Sequence, residues 1–218
     1  MKAMILAAGR GERMRPLTDK TPKPLLQVAQ KALIEYHIEA LVRVGISELV
    51  INHAWLGRQI EAYLGDGSRY GAKIRYSDEG TALETGGGIY RALPLLKDDH
   101  FLVVNGDIFT EFPYQELLDK PYSNELLHLV MVPNPKHNPN GDFCLSPDGR
   151  LQSEGRPSYT FSGIAAYDPA VFEDCVPGSF PLAPLLRAAM SKNRATGQLY
   201  EGLWTDVGTP ERLQQINS

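Results

Sequence analysis

Apolar positions along the first half of the chain alternate between two periods. Residues 3–7 are a short continuous apolar run stopping before Gly9, the pattern of a strand buried on both faces that opens into a loop. Prolines, glycines and charges interrupt residues 10–24, which read as a loop. Between residues 31 and 44, Leu33, Ile34, Ile38, Leu41 and Val42 follow helical spacing, and Gly45 ends the helix. A strand at 48–53, a helix at 58–64, a strand at 73–77 and a helix at 89–96 follow. Residues 101–105 are again uniformly apolar and end at Gly106-Asp107. This alternation predicts an α/β fold: a Rossmann-like, three-layer, doubly wound and mostly parallel sheet with helices on both faces.

Beyond about residue 120 the pattern changes. Residues 126–132, 143–145, 150–152 and 160–167 read as strands separated by Pro, Asn and Gly. The polar, Pro-rich stretch 134–141 cannot lie inside a sheet. Helical signals return at 169–175 and 182–191, a strand is expected near 198–200, and Pro210 opens a last helix. No internal repeat or linker interrupts the chain. The expectation is one domain over 1–218, with a nucleotide-binding portion at 1–120 and a small β-rich, substrate-side portion at 121–218.

Charge and cysteine content narrow the function. The 22 Lys and Arg against 26 Asp and Glu give a formal charge of −4, so no basic face for nucleic acid is expected. The two cysteines, Cys144 and Cys175, are too few for a disulfide framework and form no zinc motif. The N-terminal apolar run is too short for a secretion signal or a membrane span, which predicts a cytoplasmic protein without membrane contact. Nothing in the sequence speaks to oligomeric state.

The segment Leu6-Ala7-Ala8-Gly9-Arg10-Gly11-Glu12-Arg13-Met14-Arg15-Pro16-Leu17-Thr18 follows the first strand directly. Glycine lets a backbone approach an anion closely and turn its N–H groups toward it. Arg13, Arg15 and Lys23 add positive charge, and Pro22 and Pro24 fix the backbone on either side of Lys23. A polyphosphate is what such a loop suits. Neither GxGxxG nor GxxxxGK[ST] is present, so neither dinucleotide nor P-loop binding is expected. Taken whole, LAAGRGERMRPLTDKTPKPLL resembles the signature LAxGxGxRxxPLTxxxPKPL of the sugar-phosphate nucleotidyltransferases. The resemblance continues in Val104-Asn105-Gly106-Asp107, Glu154-Gly155-Arg156-Pro157, Phe161-Ser162-Gly163-Ile164 and Trp204-Thr205-Asp206-Val207-Gly208-Thr209-Pro210. The Glu84-Thr85-Gly86-Gly87-Gly88 segment and the short length look most like the branch that uridylylates N-acetylmuramic acid 1-phosphate in peptidoglycan recycling.

The resemblance implies an enzyme that joins a nucleoside triphosphate, with UTP favoured, to a sugar 1-phosphate and releases pyrophosphate. It assigns Asp107 and Asp206 to one or two Mg²⁺ ions, which suits a hard cation that takes oxygen ligands and substrate phosphates. It makes Arg15, Lys23, Asp107 and Asp206 the catalytic group. A sugar 1-phosphate is already anionic, so no protein base is needed; the task is to bring two polyanions together. The nucleotide is expected on Ala8, Gly9, Gly11, Glu12, Arg13 and Lys23, with Glu79, Thr85, Gly86 and Asn105 near base and ribose. Relatives commonly carry Gly-Thr where this chain has Glu84-Thr85. A Glu79 carboxylate can accept the imide N–H of uracil but pairs even better with the two donors of guanine. Chemistry thus leans to GTP and resemblance to UTP. The triple glycine also has a plain reading, a tight helix entry.

On the sugar side the resemblance points to Asn105, Asn140, Gly141, Glu154 and Gly163. Arg156 is the candidate cation for the sugar phosphate, because Glu-Gly-Arg-Pro replaces the Glu-Lys-Pro of relatives. His37, His53, His100, His128 and His137 lack metal-ligand spacing and are expected to be structural or exposed. Trp55, Tyr63 and Tyr70 are expected to pack rather than stack on a base. Two rivals are the same reaction with another pair, such as GTP and mannose 1-phosphate, and a non-catalytic nucleotide-binding regulatory subunit. The second expects loss of Lys23, Asp107 or Asp206, and all are present. The chain shows no hexapeptide repeats, so no acetyltransferase module is expected.

Overall fold

The computed structural model describes residues 1–96 and 100–217. In chain order the elements are β1 (Ala3–Leu6), β2 (Gln27–Val28), β3 (Lys31–Ala32), α1 (Leu33–Arg43), β4 (Glu48–His53), α2 (Gly57–Leu64), β5 (Lys73–Asp78), α3 (Glu84–Leu96), β6 (Phe101–Asn105) and β7 (Ile108–Thr110). They continue with α4 (Gln115–Asp119), β8 (Leu127–Val132), β9 (Phe143–Leu145), β10 (Leu151–Gln152), β11 (Ser158–Tyr167), α5 (Ala183–Ser191), β12 (Ala195–Leu199), β13 (Trp204–Asp206) and α6 (Pro210–Asn217). Among the described residues no helix is long and apolar enough to cross a membrane.

A nine-stranded sheet runs β10-β9-β11-β6-β1-β4-β5, with β8 paired to β11 and to β12. The strands β6, β1, β4 and β5 are parallel. The long β11 runs against β6 and β8, and β12 then lies parallel to β8. Alternate side chains of β1 face opposite cores: Ala3 and Ile5 pack with α1, α2 and α4, whereas Met4 packs with α3 and α5. That two-sided burial explains why β1, β4 and β6 read as continuous apolar runs. The expected three-layer architecture is present, with reversed β11 as its principal departure from a parallel sheet.

Two local differences from the sequence reading have physical causes. The loop after β1 winds into three short 3₁₀ turns, Glu12–Met14, Leu17–Asp19 and Lys23–Leu25. Helix α3 begins at Glu84 rather than at residue 89, so the glycines belong to it. Glycine is a poor helix former, which hid this start. Packing requires it: a Cβ at Gly86 would lie 2.6 Å from the Phe180 ring, one at Gly87 2.2 Å from the Gly178 carbonyl oxygen, and one at Gly88 2.4 Å from Glu79 Oε1. Close packing accounts for the triple glycine near the start of α3.

Candidate active site

The carboxyl ends of β1, β4, β5 and β6 open onto a cleft of about 220 Å³. Its wall includes Ala8, Gly9, Lys23, Glu79, Thr85, Asn105 and Asp107, all expected from the sequence. Lys23 is only 7% exposed, and its Nζ donates to Asp107 Oδ2 at 2.5 Å. Pro22 and the 3₁₀ turn Lys23–Leu25 aim that ammonium inward, as the flanking prolines suggested. The loop itself is pinned: Thr18 Oγ1 donates to the Gly11 carbonyl at 2.8 Å, and Trp55 Nε1 donates to the Thr18 carbonyl at 3.0 Å. Arg10 lies over the Trp55 ring, so this tryptophan packs against the loop rather than lining the cleft.

Asn52 is a cleft residue the sequence reading missed. Its Oδ1 accepts from the Ala7 N–H at 2.9 Å, and its Nδ2 donates to Glu79 Oε1 at 2.6 Å. Glu79 Oε2 accepts from the Leu83 N–H at 2.8 Å. This buried relay ties the ends of β1, β4 and β5 beneath the cleft. The available signal was the polar pair Asn52-His53 at the carboxyl end of a strand with an apolar centre.

Asp206 lines neither cavity, but strand pairing sets it beside Asp107. β13 runs antiparallel to β7 with Asp206 opposite Ile108, and the Val207 N–H donates to the Asp107 carbonyl at 2.8 Å. The two aspartates, far apart in sequence, thus become neighbours in register. Asp206 Oδ1 contacts Arg212 Nη1 at 2.5 Å and His137 Nε2 at 3.0 Å. His137, expected to be merely structural or exposed, therefore belongs to the surroundings of the site. Asp107 Oδ1 and Asp206 Oδ2 accept no hydrogen bond from a described residue. Each carboxylate thus keeps one oxygen open, which fits a hard cation completed by phosphate oxygens. No group of three or more His, Cys, Asp or Glu side chains converges among the described residues, so the protein alone forms no full cage.

A second groove, of about 610 Å³, continues from the cleft and shares Glu84, Thr85 and Asn105 with it. Gly141, Asp142, Phe143, Phe161, Pro181 and Arg187 form much of its far wall. Gly163 serves Asn105 rather than offering a surface of its own. At φ +85 it sits in the irregularity of β11 between Phe161 and Ile164, and a Cβ there would lie 2.5 Å from Asn105 Nδ2.

Several expected residues lie elsewhere. Arg15 bonds Asp19 Oδ1 at 2.7 Å, and its guanidinium lines neither cavity. Exposed Glu12 and Arg13 line neither, and Gly11 (φ +66) sits behind Lys23. Gly86 faces Phe180 instead of the cleft. Asn140 is exposed outside the groove, though Gly141 beside it lines the wall. Glu154 and Arg156 stand on the exposed turn between β10 and β11 and line neither cavity. A short polar turn exposes its side chains.

The match to a nucleotidyl transferase family model spans residues 2–145. This chain belongs to that family. Across 100% of its length it is 54% identical to an N-acetylmuramate alpha-1-phosphate uridylyltransferase of Neisseria meningitidis serogroup B, covering 97% of that protein. It is 32% identical to a mannose-1-phosphate guanylyltransferase catalytic subunit beta of Dictyostelium discoideum, over 97% of this chain but 62% of that relative. In fold it resembles a putative glucose-1-phosphate thymidylyltransferase from Bacillus anthracis, with TM-score 0.88 and 22% identity over 100% of this chain and 94% of the other. The chain is a nucleotidyltransferase of the sugar-phosphate class, as the sequence signature implied.

Proposed function

We propose that the chain transfers the uridylyl group of UTP to N-acetylmuramic acid 1-phosphate, giving the UDP-sugar and pyrophosphate, in the cytoplasm and as a step of peptidoglycan recycling. The carrying observation is the near-complete two-way coverage of the meningococcal relative at 54% identity. The geometry supports it: a phosphate-sized cleft with a buried cation opens into a wider groove through Glu84, Thr85 and Asn105. Residues 1–120 supply the cleft, and residues 121–218 most of the groove.

Binding begins with charge. Lys23 and the backbone N–H groups of the Gly9–Gly11 turn hold the polyphosphate, and Arg15 joins them by leaving Asp19. Asn105 stands between the two cavities and contacts ribose or sugar. An anionic oxygen of the sugar 1-phosphate attacks the α-phosphorus, the bond to the β-phosphate oxygen breaks, and pyrophosphate leaves with the electron pair. Asp107 and Asp206 would hold one or two Mg²⁺, which when bound neutralises phosphate charge in this step. Lys23 offsets charge on the departing pyrophosphate.

Each Glu79 oxygen accepts one protein hydrogen bond, from Asn52 Nδ2 or from the Leu83 N–H, and keeps a further lone pair for a base N–H. The choice of uracil rests on the meningococcal relative. Pyrophosphate release across a grid of nucleoside triphosphates and hexose 1-phosphates tests the assignment. UTP with N-acetylmuramic acid 1-phosphate should exceed every other pair; GTP with mannose 1-phosphate as the preferred pair would replace it.

A further inference from the structure

The two cavities differ in their free charge. Among the described residues lining them, the cations are Lys23 in the cleft and Arg187 in the groove. Lys23 is paired with Asp107. Arg187 is exposed on α5, makes no ion pair with any described residue, and rests with Cζ 5.7 Å from the Phe143 ring centroid. Neighbouring Leu186, Ala189 and Met190 are buried, so the helix is anchored and holds Arg187 at the rim. Stacking on a ring restrains a guanidinium while leaving its N–H edge open, the geometry a carboxylate accepts in a two-pronged bond.

One acid of the groove wall is already engaged. Asp142 Oδ1 accepts from Asn138 Nδ2 at 3.1 Å, and Oδ2 accepts from the Phe161 N–H at 2.8 Å. Glu84 is the other acid of the groove. An anionic substituent entering between these carboxylates meets repulsion unless a cation compensates it, and Arg187 is the cation present. Neither Lys23 nor Asp107 lines this groove. With the acceptor's phosphate brought to Lys23 and Asp107 by the proposed reaction, Arg187 would lie toward the other end of the sugar.

We propose that Arg187 is a specificity-determining residue that binds a carboxylate carried on the sugar ring of the acceptor. The inference rests on N-acetylmuramic acid 1-phosphate as that acceptor. This sugar differs from N-acetylglucosamine by a lactyl ether whose carboxyl is ionised at neutral pH. The guanidinium accounts for selection of the acidic sugar over its neutral counterpart.

The test compares kcat/KM for N-acetylmuramic acid 1-phosphate and N-acetylglucosamine 1-phosphate at saturating UTP and Mg²⁺, using the full chain and Arg187→Gln and Arg187→Lys. In Arg187→Gln the ratio of the two values should fall by about 10–100-fold, the scale of one charged hydrogen-bonding contact, mainly through KM for the acidic sugar. Arg187→Lys should recover some of the ratio, because the charge remains and the fork is lost. Equal losses on both sugars would assign Arg187 to the phosphate or to folding and overturn the proposal, as would an unchanged ratio. Failure of the unaltered protein to prefer the acidic sugar would instead remove the acceptor assignment beneath it, before any variant is made.

Discussion

Lys23 Nζ and Asp107 Oδ2 lie 2.5 Å apart, so the buried cation of the cleft and the carboxylate at the end of β6 are each other's partner. Under the proposed reaction, substrate binding would redistribute this pair, turning the ammonium to phosphate and the carboxylate to the divalent ion. Preformed charge aimed at the transition state is typically the largest single catalytic contribution. Lys23→Ala and Asp107→Asn should each lower kcat/KM by about two to three orders of magnitude. The double variant should lose less than the product of the two, because the groups act as a unit. Steady-state kinetics decide it, and near-normal turnover in either single variant removes these roles.

Asp206 depends on a different support. Arg212 and His137 hold Oδ1, and Oδ2 accepts no hydrogen bond from a described residue. Chelation with EDTA should abolish turnover, and added Mg²⁺ should restore it. Asp206→Asn should raise the Mg²⁺ concentration for half-maximal rate by about tenfold or more, since one anionic ligand is lost. A Mg²⁺ titration unchanged in Asp206→Asn would mean that this carboxylate binds no metal.

Legibility in the sequence followed burial. Strands β4 and β6 could be bounded correctly because both faces are apolar and their ends are abrupt. Lys23, Asn105 and Asp107 were legible since they follow such strands or lie between fixing prolines. The neighbourhood of Asp107 and Asp206 was not readable locally: it arises from the β7–β13 ribbon, whose three-residue strands carry no periodic signal. Asn52 was hidden for a related reason: it ends a buried apolar run together with His53, and no motif marks it. Glu154 and Arg156 came from motif resemblance, and the exposed turn that carries them reaches neither cavity. Arg187 gave no signal at all, because an arginine on an amphipathic helix reads as solvated surface until the fold sets it beside Phe143.

Glu84 opens α3 with φ +58, a left-handed conformation that disfavours a side chain bearing Cβ. It also lines both cavities. Strain retained at a site points to a role for the side chain. Glu84→Gly should leave stability unchanged or raise it by up to about 1 kcal/mol, while raising KM for at least one substrate. Urea denaturation and initial rates measure the two effects. A less stable variant with unaltered KM values would show that the carboxylate serves folding alone.

His37 lies 2% exposed behind the site, with Nε2 against the Ile108 carbonyl at 2.9 Å and Nδ1 3.3 Å from the Tyr114 hydroxyl. Burial pushes its pKa down to about 4, against the opposing pull of the Ile108 carbonyl and Asp107. His128, between Thr196 and Gln198, is likewise pushed down to about 4 by burial. Both are neutral in the folded protein near pH 7, whereas the unfolded chain binds a proton at each below about 6.5. Unfolding therefore takes up protons as pH falls from about 6.5 toward about 4, and stability drops across that window. Each group contributes a slope approaching about 1.4 kcal/mol per pH unit within it. His128→Gln keeps a neutral hydrogen-bonding side chain without this titration. Urea midpoints measured from pH 7.5 to 5 should fall steeply in the unaltered protein and less steeply in His128→Gln. A flat profile, or an identical slope in both, would show that these imidazoles are not held neutral by their burial.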